Sequence, residues 1–200
     1  MWGKRLVWWF LVLPLFALSP ARAASYRFAE LDWGTLRGKA HQSLTRSGWR
    51  WARQGGYGDG VYQGTRDGVP AQVTLKYDPL GRLVAADLRM KPTEDRLLAT
   101  YETVKDALTL RYGPPVYSQV SFRLPYREGD GREVEALKHN RALYDTVWFD
   151  RHALNMETRS GVQLEVVHRP FSRLEIRQFF LSDGWTEEYR RREGPLEGDT

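Results

Sequence analysis

The 200-residue chain contains no cysteine, which excludes disulfides, thiolate metal sites, cysteine nucleophiles and a lipid-modified N-terminal cysteine. It also has little net charge once its N-terminus is set aside. Lys4, Arg5 and Arg22 supply three units of the formal +5, and residues 1–23 hold no Asp or Glu, so residues 24–200 carry +2. Arg and Lys alternate with Glu and Asp throughout, as in Arg127-Glu128 and Arg132-Glu133. A nucleic-acid binder would concentrate a basic patch, so no nucleic-acid partner is expected. The chain has no phosphate-cradling glycine loop, no dinucleotide fingerprint and no Gly-x-Ser-x-Gly elbow around Ser160. Glu133 and Glu135 stand two apart and would diverge on a helix. Neither a catalytic residue nor a cofactor is expected.

The N-terminus reads as a secretory signal. Lys4 and Arg5 form a positive region, Leu6 to Leu18 an apolar run of 13, and Ala21-Arg22-Ala23 a small-x-small cleavage pattern before Ala24. Thirteen residues interrupted by Pro14 fall short of the roughly 20 that span a bilayer. Export to the periplasm or the exterior is expected, with no transmembrane segment after cleavage and one domain over 24–189.

Hydrophobic periodicity organises that domain. Leu97, Tyr101, Val104, Leu108 and Tyr112 draw one stripe along a helix from Glu94 to Tyr112, capped by Thr93 and stopped by Gly113-Pro114-Pro115. A shorter helix, capped by Thr35, groups Leu36, Ala40 and Leu44 and ends at Gly48. Val61 to Arg66 and Val69 to Tyr77 flank Asp67-Gly68, a type I′ hairpin signal that pairs Tyr62 with Val73 and Gly64 with Ala71. The turn Asp78-Pro79-Leu80-Gly81, closed by pairing Tyr77 with Arg82, then sets Leu75 opposite Val84 and Ala71 opposite Leu88. In the second half come a strand from Val116 to Leu124, an inserted helix within Arg132 to Tyr144, and a hairpin from Val147 to Arg169 that pairs Met156 with Leu164 and Leu154 with Val166. Ser172 with Glu175 fits a capping box, favouring a helix there over a strand, and residues 190–200 read as a frayed tail.

Both halves therefore read helix, strand, strand, strand. The expected fold class is α+β: an antiparallel sheet of about six strands backed by two helices, from a tandem repeat covering about 28–90 and 93–170, plus the inserted helix.

Trp33-Gly34-Thr35, Gly48-Trp49 and Tyr77-Asp78-Pro79-Leu80-Gly81-Arg82-Leu83 resemble phrases in small exported bacterial proteins. The helix-plus-three-strand order is similar to the β-lactamase-inhibitor-protein fold and to the lipoproteins of outer-membrane assembly, from which this chain departs by lacking the acylated Cys. The resemblance implies a binding or assembly role and carries no catalytic residues.

Two constellations carry candidate chemistry. The expected hairpin places His152 opposite His168, where two imidazoles could share Zn²⁺ or Cu²⁺ with Asp150 nearby; two hydrogen-bonded histidines at a sheet edge are the plainer reading, so no metal is expected. Trp49, Trp51, Tyr57 and Tyr62 surround a glycine-rich stretch and could stack on sugar rings; alternatively Trp49, Trp51 and Tyr62 fill the core. The sequence thus supports a soluble exported module that binds another envelope or secreted protein, with a glycan- or cell-wall-binding protein as the alternative.

Overall fold

The computed structural model describes residues 26–150, 160–168 and 173–193; the expected signal segment lies outside them. Among these residues no helix is long and apolar enough to cross a membrane.

Chain order in the first half is α1 (Arg37–Arg46), β1 (Arg50–Gln54), β2 (Gly60–Arg66), β3 (Val69–Tyr77) and β4 (Leu83–Met90). In the second half it is α2 (Leu97–Tyr112), β5 (Tyr117–Phe122), α3 (Glu133–Lys138), β6 (Ala142–Phe149), β7 (Gly161–Val167) and β8 (Glu175–Leu181), followed by α4 (Trp185–Glu193). The eight strands form one antiparallel sheet in the order β1-β2-β3-β4-β8-β7-β6-β5. The class is α+β, but the six-strand, three-strand-repeat expectation is corrected: each half is a helix followed by a four-stranded meander, and the last strands of the two meanders meet at the centre.

The extra strands are β1 and β8. All five residues of β1 are exposed, so Arg50-Trp51-Ala52-Arg53-Gln54 lacks the alternation that marks a half-buried strand. Segment 175–181 is a strand and not the favoured helix. In β8 Glu175, Ile176, Gln178, Phe179 and Phe180 are buried, and its aromatic and β-branched residues suit a strand flanked on both sides.

Registers follow the turns. Asp67 and Gly68 both take positive φ, as a type I′ turn requires, and Tyr62 faces Val73 and Gly64 faces Ala71 as expected. At the next turn the register is displaced by two residues. Asp78 donates its N–H to Arg82 O at 2.9 Å, and its side chain accepts from the N–H groups of Leu80 and Arg82 at 2.9 Å. The turn thus closes on Asp78 and Arg82, one residue beyond the expected Tyr77–Arg82 closure, and a bulge past Tyr77 adds a second slip. Two slips restore the side-chain parity, so Leu75 faces Ala86 and Val73 faces Leu88, with the apolar stripe intact. The β6–β7 hairpin departs further: Leu164 faces Thr146, and not Met156.

One core fills the sheet face beneath α1 and α2. Ala40 and Leu44 are buried on α1, and Leu97, Tyr101, Val104 and Leu108 on α2. Thr35 does not cap α1: its hydroxyl donates to Asp32 O at 2.7 Å, and Leu36 takes the cap position without a side-chain bond. Likewise Thr93 makes no side-chain cap; a single 3-10 turn, Glu94–Arg96, leads into α2. The Tyr101 hydroxyl lies 2.9 Å from the buried Thr146 Oγ1, which lies 3.0 Å from Ser118 Oγ, so a polar chain running from the core to the sheet edge ties α2 to β6 and β5. The segment leading to α1 seals the layer: Tyr26 stacks on Tyr112 and Phe28 meets Phe180 edge-on. The phrases Trp33-Gly34-Thr35 and Asp78 to Leu83 meet in space. Gly34 donates to Leu83 O at 2.8 Å, Leu83 to Thr35 O at 2.9 Å and Arg37 to Gly81 O at 3.0 Å.

Residues 190–193, read as the start of a tail, belong to α4. This helix packs at one end of the opposite sheet face, where Trp185 meets Phe179 edge-on and Lys76 lies over the Trp185 ring.

Candidate functional site: the open face of the sheet

Side chains alternate across a strand, so the registers determine what the face away from α1 and α2 presents. Following the pairing from β1 to β5, one row reads Arg50, Gln63, Gln72, Arg89, Arg177, Glu165, Asp145, Gln119. Every member is polar. At roughly 4.8 Å per strand the row extends about 34 Å. It is dipolar: the cations lie between β1 and β8, and the carboxylates on β7 and β6.

Adjacent side chains hold the row in place. Asp87 accepts from Arg89 at 2.8 Å and from Arg177 at 3.1 Å, and Arg177 also reaches Glu165 at 2.9 Å. Gln163 donates to Asp145 at 3.0 Å. Lys91 pairs with Glu175 at 3.2 Å. Arg89 stands 3.5 Å from Glu175 Oε2, near enough for an ion pair, yet that oxygen accepts no hydrogen bond. Asp87 and Glu175 are only 6% and 7% exposed. For Arg177, burial alone would lower the pKa, but the Asp87 and Glu165 carboxylates outweigh it and raise it above its ordinary value.

At the β2–β3 end the face is bounded by α4, held by a buried ion cluster. Arg192 forks onto both oxygens of Asp59, at 2.7 and 2.9 Å, and donates to Tyr77 O at 2.6 Å. It also bonds Glu188 one helical turn back. All three charged residues are buried. Burial would raise Glu188, but the bonds from Arg191 and Arg192 hold its carboxyl below the usual range. The Tyr57 hydroxyl donates to Arg192 O at 2.8 Å. Between this helix and residues 53–59 lies a cleft of about 290 Å³ lined by Arg53, Tyr57, Lys76 and Trp185.

The aromatic candidates are divided by this geometry. Trp49 and Tyr62 are buried at 9% and 0% exposure, while Trp51 and Tyr57 are exposed at 45% and 57%. Trp51 meets Tyr62 and His41 on the side of α1, and the His41 Nδ1 lies 3.2 Å from the Tyr62 hydroxyl. Tyr57 instead turns toward α4, with the Arg192 guanidinium 5.0 Å from its ring. The four rings do not share one platform.

His152 lies outside the described residues. The register that would have set it opposite His168 is displaced, because Leu164 pairs with Thr146 and Phe149 with Gly161. Among the described residues no three His, Asp or Glu side chains gather as a metal-binding group.

The polar row is not legible in the sequence because it depends on the β4–β8 pairing, between residues about ninety apart. The Asp59–Arg192 pair is equally remote, though Glu188 and Arg192 at helical spacing hinted at an ordered helix there. No family model matches the chain, and neither a curated protein nor a solved structure matches it.

Proposed function

We propose that this chain is an exported, non-catalytic binding module of the cell envelope that holds another protein against the open face of its sheet. The observation that carries this reading is the uninterrupted polar row, with cations on one half and carboxylates on the other. Such a pattern selects a partner with the reverse order of charge, steering its approach and setting its register. Affinity capture from an envelope extract tests it. Gln63 and Gln72 face each other in the row and make no contact on which the core depends, so Gln63→Trp with Gln72→Trp should abolish capture at an unchanged thermal midpoint. Undiminished capture by the double variant would remove the open face from the function.

A glycan-binding reading keeps one specific support, the exposed Tyr57 ring beside Arg53 and Trp185 in the 290 Å³ cleft. It expects pulldown on insoluble cell wall, lost in Tyr57→Ala and retained in Trp51→Ala and in the Gln63/Gln72 variant.

A further inference from the structure

The sheet has two edges, and they differ in kind. β1 carries Arg50 and Arg53 and is interrupted by a bulge between Trp51 and Arg53, two devices that blunt an edge against pairing with another chain. β5, Tyr117-Ser118-Gln119-Val120-Ser121-Phe122, has no charge, no proline and an unbroken six-residue register against β6. Among the described residues it ends the sheet, with no strand on its outer side.

Its outward groups can be identified. Arg123 donates its N–H to Arg141 O at 2.7 Å, and hydrogen-bonded positions alternate along an antiparallel pair. Odd-numbered residues of β5 therefore direct their backbone groups to β6, and Ser118, Val120 and Phe122 direct theirs outward.

We propose that β5 is a homodimerisation edge: two copies of this chain pair β5 with β5, antiparallel, about a two-fold axis perpendicular to the sheet and passing between their Val120 residues. Self-complementarity argues for a second copy as the occupant. With Val120 opposite Val120, Ser118 falls opposite Phe122 of the other copy, so all three outward residues match and supply about six backbone hydrogen bonds. On the core side Val120 meets Val120. On the open side Gln119 falls opposite Ser121 and Tyr117 opposite Arg123, with no like charges facing. The same operation at β1 would place the axis at a bulge, with two arginines of each copy along the pairing edge. Because the axis is perpendicular to the sheet, both open faces point the same way and join into one surface.

Sedimentation velocity on the mature chain, over a range of concentrations, tests the proposal with two variants of equal bulk. Gln119→Lys with Ser121→Lys sets Lys opposite Lys twice across the axis and should weaken dimerisation roughly tenfold or more. Gln119→Lys with Ser121→Glu sets Lys opposite Glu twice and should retain the wild-type dimer or tighten it. Both positions face away from the core, so circular dichroism should be unchanged. A wild-type chain that stays monomeric overturns the proposal, and so does identical behaviour of the two variants. Loss of the partner-binding reading would leave this outcome untouched, since that reading rests on the face and this one on the edge.

Discussion

Glycine at 64 is required by a ring and not by the backbone. A Cβ there would stand 2.9 Å from Cε3 of Trp49, whose indole lies against the strand at 9% exposure. Gly60 does the same for Trp51 and Tyr62, at 3.1 and 2.9 Å. The glycine-rich stretch beside the tryptophans, legible in the sequence as a candidate ligand loop, is in part a bed for core aromatics. Gly38 is the opposite case: it lies in the first turn of α1, and a Cβ there would meet nothing within 4 Å. Gly64→Ala should therefore destabilise by about 1–3 kcal/mol through overpacking, while Gly38→Ala should stabilise by up to about 1 kcal/mol through helix propensity. Denaturant unfolding of the two variants checks this; shifts of the same sign would show that Trp49 yields freely.

Among the elements, how much could be read from sequence depended on the distance between partners. The β2–β3 register was legible to the residue because Asp67-Gly68 determines it locally. The β3–β4 register slipped because the Asp78 side chain spans its turn. β8 is not legible as a strand because a capping-box pattern near Ser172 and Glu175 competes with strand alternation, and only its place between β4 and β7 decides. α4 depended most on remote residues, since Asp59 lies 133 positions from Arg192. Arg192→Met should leave the buried Asp59 with the Tyr77 N–H at 3.3 Å and, as counter-charge, the more distant Lys76 at 3.6 Å, and breaking a buried pair from one side costs about 3–5 kcal/mol. Adding Asp59→Asn should recover part of that loss, because the unpaired charge is gone. Hydrogen exchange should show α4 opening in Arg192→Met while α2 stays protected; equal protection of α4 in wild type and variant would mean the cluster does not hold it.

Across the molecule, the core formed by the described residues lies between the sheet and α1 with α2, and it holds the phenols of Tyr26, Tyr62, Tyr77, Tyr101 and Tyr144. Burial raises Tyr101 and Tyr144 to about 12, and raises Tyr62, Tyr77 and Tyr112 as well. In the unfolded chain each would titrate near 10. The folded state therefore binds these protons more tightly, so the stabilisation is fully present below about pH 10 and is lost as pH rises toward 12. The thermal midpoint should be flat with respect to these groups up to about pH 10 and then fall steeply, as several tyrosines titrate within one cooperative unit. Tyr101→Phe should lower the midpoint at neutral pH by removing the bond to Thr146, yet make the alkaline decline shallower by removing one titrating group. Absorbance titration of tyrosinate, run beside the melts, should show these phenols ionising only as the fold is lost, after the exposed Tyr57, Tyr117 and Tyr189; complete ionisation of all ten tyrosines in a chain that remains folded would contradict their placement in the core.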